Sequence, residues 1–171
     1  PEMGSKVDHE TLRNMLSQET GSYTYREVEQ SDQLLNASVQ TWSEDGYRYR
    51  RYNGVEYVDQ QASIDENIWR PFQSYEWKAA GRADGTYGPG YQAFDYGGSP
   101  HSNWKKISEI TRYDRYSNPV EMWSRSGLYS ASKLGYGQTL PILSAAPAKY
   151  VEVAYSGAED FDASSGFFGG E

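Results

Sequence analysis

Histidine is the side-chain type most used for acid–base chemistry, so the two histidines, His9 and His101, are the first places to look for it. Each lies in a polar segment, and neither stands at metal-ligand spacing from other ligand types, so both read as loop histidines. Serine is frequent, but no Gly-x-Ser-x-Gly elbow occurs, and no histidine–aspartate pairing accompanies any serine. The phosphate-cradling patterns Gly-x-Gly-x-x-Gly and Gly-Lys-Ser/Thr are missing as well. Glu159, Asp160 and Asp162 could offer oxygens to Ca²⁺, with Gly157 and Gly166 letting the backbone curl. Their spacing is not that of an EF-hand loop, and an acidic solvated connector accounts for them more simply. Flat rings supply the remaining chemistry. Tyr87, Tyr91, Phe94 and Tyr96, with a second aromatic stretch at 69–77, could stack on the apolar faces of sugar rings. The competing account is that these rings are the core. No set of residues forms a defensible catalytic constellation, so the chain reads as a non-enzyme with no cofactor.

Composition explains why the rings carry such weight. Of 171 residues, 37% are hydrophobic and 15% are Phe, Trp or Tyr, so aliphatic residues are scarce and a core must lean on aromatics. Seventeen glycines favour sheets and turns over helices. The formal net charge of −8 opposes binding to nucleic-acid phosphates. Arg48, Arg50 and Arg51 form the local exception, read as a solvated strand face. With no cysteine, disulfide and thiolate chemistry are closed. No apolar run reaches the length of a membrane-spanning helix, and no stretch of this sequence reads as a signal peptide. Pro1 is not a natural start and Gly170-Glu171 is an abrupt end, so the chain reads as a piece of a longer protein.

The elements follow from turn chemistry. One short helix is expected near the N-terminus, over 7–16, where Asp8 could cap a turn bearing Leu12, Met15 and Leu16. An extended stretch to Tyr25 follows. Residues 34–42 predict a strand that pairs with 47–52 across the Asp45-Gly46 turn. Further strands are expected at 55–58, 72–77 and 104–113, separated by a polar connector (59–67) and an irregular loop (81–102) with a short strand at 91–96. Residues 139–143 and 149–155 predict two more, with Ala145-Ala146-Pro147 between them. Most legible is 110–136. Asp114 to Asn118 supplies turn-forming side chains, Pro119 sets the chain extended again, and Val120 and Met122 alternate with Glu121 and Trp123. Ser126-Gly127 makes a second turn before the run that starts at Leu128. Trp123, Tyr113 and Leu128 are expected to share one aromatic core with Trp104 and Trp77.

Tyr113-Asp114, then Ser117-Asn118, then Gly127 and an aromatic beyond it, resembles one YD repeat, the unit of Rhs-type, toxin-shell and teneurin-like proteins. The longer series RYDRYSNPVE, SGLYSA, YGQTLPI and AKYVEVAYSGAEDF is similar to a region of very large surface or secreted proteins of Bacteroidota. A weaker likeness runs upstream through 14–18 and 34–42 to 69–71. Ser117 stands where the repeat usually has glycine, and Ser124 where it often has aspartate. The self-cleaving Asp-Pro-x-Gly-Leu-like signature of Rhs-type cores has no match here, so no protease role carries over.

Taken together, the expectation is an all-β chain: an antiparallel, hairpin-rich, YD-repeat-like sheet over 1–156 with at most one short N-terminal helix, then an acidic Gly/Ser-rich connector over 157–171. The resemblance implies a structural segment of a secreted or surface-displayed bacterial protein, partnered by neighbouring modules. The alternative is a carbohydrate-binding or adhesion module that uses loop 81–102, with Tyr87, Tyr91, Phe94 and Tyr96 as its stacking residues.

Overall fold

In the computed structural model, the residues described are 18–28, 31–43, 48–52, 57–61, 70–87, 90–114, 116–137 and 139–155, with backbone alone for Val28, Ser43 and the strands between 48 and 61. The expected N-terminal helix and the acidic connector lie outside them. All the described elements are strands except a single 3-10 turn at Tyr150–Glu152, so the chain is all-β. Among the described residues the strands are β1 (Gly21–Val28), β2 (Ser31–Ser43), β3 (Arg48–Tyr52), β4 (Tyr57–Gln61), β5 (Arg70–Trp77), β6 (Trp104–Tyr113), β7 (Pro119–Ser124), β8 (Tyr129–Gly135) and β9 (Leu140–Ala145). Seven make one antiparallel sheet in the order β1-β2-β5-β6-β7-β8-β9, while β3 and β4 pair with each other. No helix among the described residues is long and apolar enough to cross a membrane.

The chain divides into two compact units, and β5 and β6 each supply residues to both. The first unit comprises residues up to Trp42 together with Gln73–Ile107. Here β1 and β2 pair from Gly21↔Val39 to Val28↔Ser31, with the register shifting between Thr24 and Tyr25. Thr24 faces Asn36 but Tyr25 faces Leu34, so Leu35 is an extra residue. Strand side chains alternate between faces, so without this bulge Leu34 would point away from Ala37 and Val39. With it, all three join one buried cluster with Trp77, Phe94 and Trp104.

The second unit comprises Ser43–Phe72 and the chain from Ser108 onward. A meander of β6 to β9 carries Val120 and Ala131 to a buried cluster closed by Tyr150, with Leu134 and Val153 packed against it. Its register runs Ile110↔Met122↔Ser130 and Glu121↔Ala131↔Ala145.

A single turn geometry recurs in three places among the described residues. In each, residue i donates its N–H to the carbonyl of i+4, residue i+3 donates to the carbonyl of i, and i+3 has positive φ. The positions are Arg82–Thr86 (2.8 and 2.9 Å, Gly85 φ 83°), Asp114–Asn118 (2.9 and 3.2 Å, Ser117 φ 72°) and Ser124–Leu128 (2.9 and 2.9 Å, Gly127 φ 81°). This is the three-residue hairpin loop in which a type I turn is followed by a left-handed residue. A Cβ on Gly127 would meet nothing within 4 Å, so only its backbone conformation demands glycine. Gly127→Ala is therefore expected to cost about 1–2 kcal/mol through left-handed strain alone, read as a lower urea midpoint at unchanged slope.

Four expectations are corrected. Strand β2 pairs with β1 and neighbours β5, not the strand at 48–52, which pairs with β4 instead. Residues 91–96 form no strand, although the loop at 81–102 is irregular as expected. Residues 149–155 carry the 3-10 turn rather than a strand, because Tyr150 leaves the extended path to fill the second core. The single aromatic core is replaced by two: Trp77 and Trp104 are buried in the first unit, while Leu128 is 52% exposed and Trp123 belongs to neither buried cluster.

Candidate functional site

In the first unit, loop 81–102 does bring its four candidate rings onto one cluster, with their faces and edges applied to the core. Phe94 is buried, and Tyr87, Tyr91 and Tyr96 are partly buried against it. Phe94 lies edge-on to Trp104 (5.3 Å between centroids, 86°) and packs on Tyr75 and Tyr96 at 4.9 Å each. Trp77 meets Tyr91 at 5.1 Å and Trp104 at 5.5 Å, both edge-to-face. Such tilted pairs suit the ring quadrupole better than stacked sandwiches. The polar ends are also engaged: Tyr87 donates to the Trp77 carbonyl (3.1 Å), Tyr96 to Thr20 (3.0 Å) and the Trp104 indole to Gln92 (3.0 Å). The rings thus behave as the core that the scarcity of aliphatics calls for. A hollow of about 250 Å³ beside them is lined by Tyr23, Ala93, Phe94, Asp95, Tyr96 and Gly97.

His101 lies 5.5 Å from Trp77 ring to ring, and its Nδ1 accepts the Asn103 N–H at 3.2 Å. It shapes the approach to β6 and faces no carboxylate cluster. Among the described residues, no group of three or more His, Asp or Glu converges to hold a metal. His9 and the acidic trio Glu159, Asp160 and Asp162 lie outside the described residues, as do the side chains of Arg48, Arg50 and Arg51. Asp84 is an ordinary turn residue, as its sequence context suggests. Its carboxylate accepts the backbone N–H and hydroxyl of Thr86, which hold its pKa below the ordinary value, and it pairs with Arg26 at 3.2 Å.

The same unit carries a groove of about 340 Å³ across β1, β2 and β5, lined among others by Glu19, Ser38, Val39, Gln40, Trp42 and Ser74. Sequence reasoning missed it. Its signal was the alternation Ser38, Gln40, Trp42 along β2, but the groove also needs β1 and β5 on either side, and neighbour order is not written in one strand.

In the second unit, the YD-like turn is held by its aspartate. Asp114 is 3% exposed, and its carboxylate accepts from the backbone of Tyr116 and Asn118 and from the Asn118 amide, each at 2.8 Å. Tyr113 is buried, donates to the Pro71 carbonyl, and lies under the Arg70 guanidinium at 5.9 Å. Arg70 also donates to the Ser117 hydroxyl at 2.9 Å. Burial raises the Tyr113 pKa well above that of a free phenol, against a smaller lowering by Arg70. A folded pKa above the unfolded one means that this stabilisation is complete below about pH 10 and is lost as pH rises toward the folded value. Wild type is expected to lose stability from about pH 10 upward more steeply than Tyr113→Phe, measured as urea midpoint against pH.

Beyond the turn, three charged residues lie buried around Tyr150. Lys133 Nζ sits 3.2 Å from the centre of its ring, Arg112 is 5.4 Å away, and Glu121 accepts from the Tyr150 backbone and the Thr111 hydroxyl, each at 2.6 Å. Cations over a ring face and a hydrogen-bonded carboxylate offset much of the cost of burying charge. This arrangement fastens the segment after β9 to the sheet. Comparison with family models, with curated proteins and with solved structures finds no match to this chain.

Proposed function

We propose that this chain is a non-enzymatic structural segment of a large secreted or cell-surface bacterial protein, built from YD-like hairpins and partnered by neighbouring modules. The observation that carries this reading is the recurrence of one turn. Asp114–Asn118 and Ser124–Leu128 repeat the same hydrogen bonds ten residues apart, and the left-handed position falls on Ser117, where the YD pattern has glycine. A unit of this kind extends an array by adding hairpins side by side, with each repeat burying its neighbour's face. The carbohydrate-binding alternative through loop 81–102 is less well supported, because Phe94 is buried and Tyr87 and Tyr96 spend their hydroxyls on backbone carbonyls.

The mode of action follows from the edges of the sheet. In the seven-stranded sheet, β1 and β9 are the edge strands. Pro141 on β9 obstructs strand addition, whereas β1 contains no proline and is largely exposed from Thr24 to Glu27. An unpaired edge templates another chain. The isolated chain should therefore associate with itself as concentration rises, and sedimentation velocity should show Thr24→Lys and Tyr25→Lys reducing that association. Adding the adjoining segments encoded by its gene should raise the thermal midpoint. A monomer at every concentration whose midpoint ignores those segments would overturn the scaffold reading.

A further inference from the structure

The groove on β1, β2 and β5 has the makings of a ligand site, and we infer that it binds a neutral saccharide. Its volume of about 340 Å³ lies at the small end of the range for small-molecule sites and has room for one or two sugar rings. Its lining combines an aromatic surface with closely spaced hydroxyl, amide and carboxylate groups. Trp42 is half-buried, and its indole N–H donates to the Glu19 carbonyl at 2.9 Å, which fixes the plane of the ring. Gln40 is locked as well: its amide donates to the carbonyls of Thr41 (2.8 Å) and Gln73 (3.2 Å), and its oxygen accepts from Ser74 at 2.7 Å. Thr41 and Gln73 then tie β2 to β5 through two further hydrogen bonds of 3.1 and 3.0 Å. These groups are held before any ligand arrives, so little ordering entropy remains to oppose binding.

The choice of ligand class rests on charge and polarity. Glu19 is the one charged residue in the lining, and a carboxylate there would accept hydrogen bonds from sugar hydroxyls while disfavouring acidic ligands. An organic cation would be drawn by Glu19 and the indole, but it would leave unused the hydroxyl and amide groups that Ser22, Ser38, Gln40 and Ser74 contribute to the lining, since methylammonium groups cannot hydrogen-bond them. A neutral sugar uses both features, placing its C–H face on Trp42 and its hydroxyls toward the serines and the carboxylate. This site is separate from the rings of loop 81–102 and does not depend on the scaffold reading.

The test is saturation-transfer NMR on the full chain with a panel of neutral oligosaccharides of glucose, galactose, mannose and N-acetylglucosamine, with sialylated glycans and choline alongside. At least one neutral saccharide should bind, and Trp42→Ala should weaken it on the order of tenfold. Ser38→Leu, which fills the groove with an apolar side chain, should abolish binding without lowering the thermal midpoint, so the inference stays testable if Trp42→Ala folds poorly. Tyr87→Phe, away from the groove, should leave binding unchanged. The inference is overturned if no neutral saccharide binds, if binding ignores both Trp42 and Ser38, or if choline or an acidic glycan occupies the groove instead. If saccharide binds while the chain stays a flank-indifferent monomer, the scaffold reading fails and the groove stands.

Discussion

Trp77→Ala should destabilise the first unit by about 3–5 kcal/mol, the usual range for deleting a large buried aromatic. Trp77 is fully buried, and its ring meets Tyr91, Trp104 and His101. Few aliphatic side chains stand by to collapse into the space, since among the described residues only Leu34, Ala37 and Val39 are aliphatic and buried with it. The cost should therefore lie toward the upper end of the range. Trp123→Ala serves as the comparison: that ring is half-buried and outside both buried clusters, so its loss should cost clearly less. Urea denaturation of both variants, followed by the remaining tryptophan fluorescence, makes the check. Equal midpoints for the two variants would show that the aromatic cluster does not hold the unit together.

Asp114→Ala is expected to cost about 2–3 kcal/mol, because it removes the acceptor for two backbone N–H groups at a site water scarcely reaches. The aspartate is 3% exposed and accepts three hydrogen bonds inside its own turn. Asp114→Asn keeps one oxygen for the two backbone amides but turns an NH₂ group toward Asn118, so its loss should be intermediate. Asp84 gives an internal control at a related turn. It serves Thr86 in a similar way but is exposed, and water can take its place once it is removed. Asp84→Ala should thus shift the midpoint much less than Asp114→Ala. Equal effects at the two sites would mean that burial of the YD aspartate is unimportant.

How much of this could be read in advance depended on the distance over which each signal acts. The hairpins at 110–135 were legible because their turns are local: an Asp bonding its own backbone and a Gly at a left-handed position need no distant partner. The pairing of β2 was not, because Asp45-Gly46 is a strong local turn signal, while the choice of β1 and β5 as neighbours depends on contacts far along the chain. Alternation could not have announced Leu34 as core either, since the bulge at Leu35 reverses its face. The extended pattern at 149–155 misled for a related reason: a buried ring over Lys133 outweighs the strand propensity of its neighbours. For the groove, residues at one strand's alternate positions were visible, but the walls on either side were not.

Lys133 has a consequence for chemical reactivity. The residue is 2% exposed, with its ammonium against the ring of Tyr150, whereas Lys78 and Lys149 are exposed. An amine-selective acylating reagent should modify the exposed lysines at once and reach Lys133 only when the segment carrying Tyr150 lifts from the sheet. The rate at which Lys133 becomes labelled therefore clocks that local opening, separately from unfolding of the whole chain. One side chain, followed by mass spectrometry of its peptide, would report how tightly the chain beyond β9 is tethered.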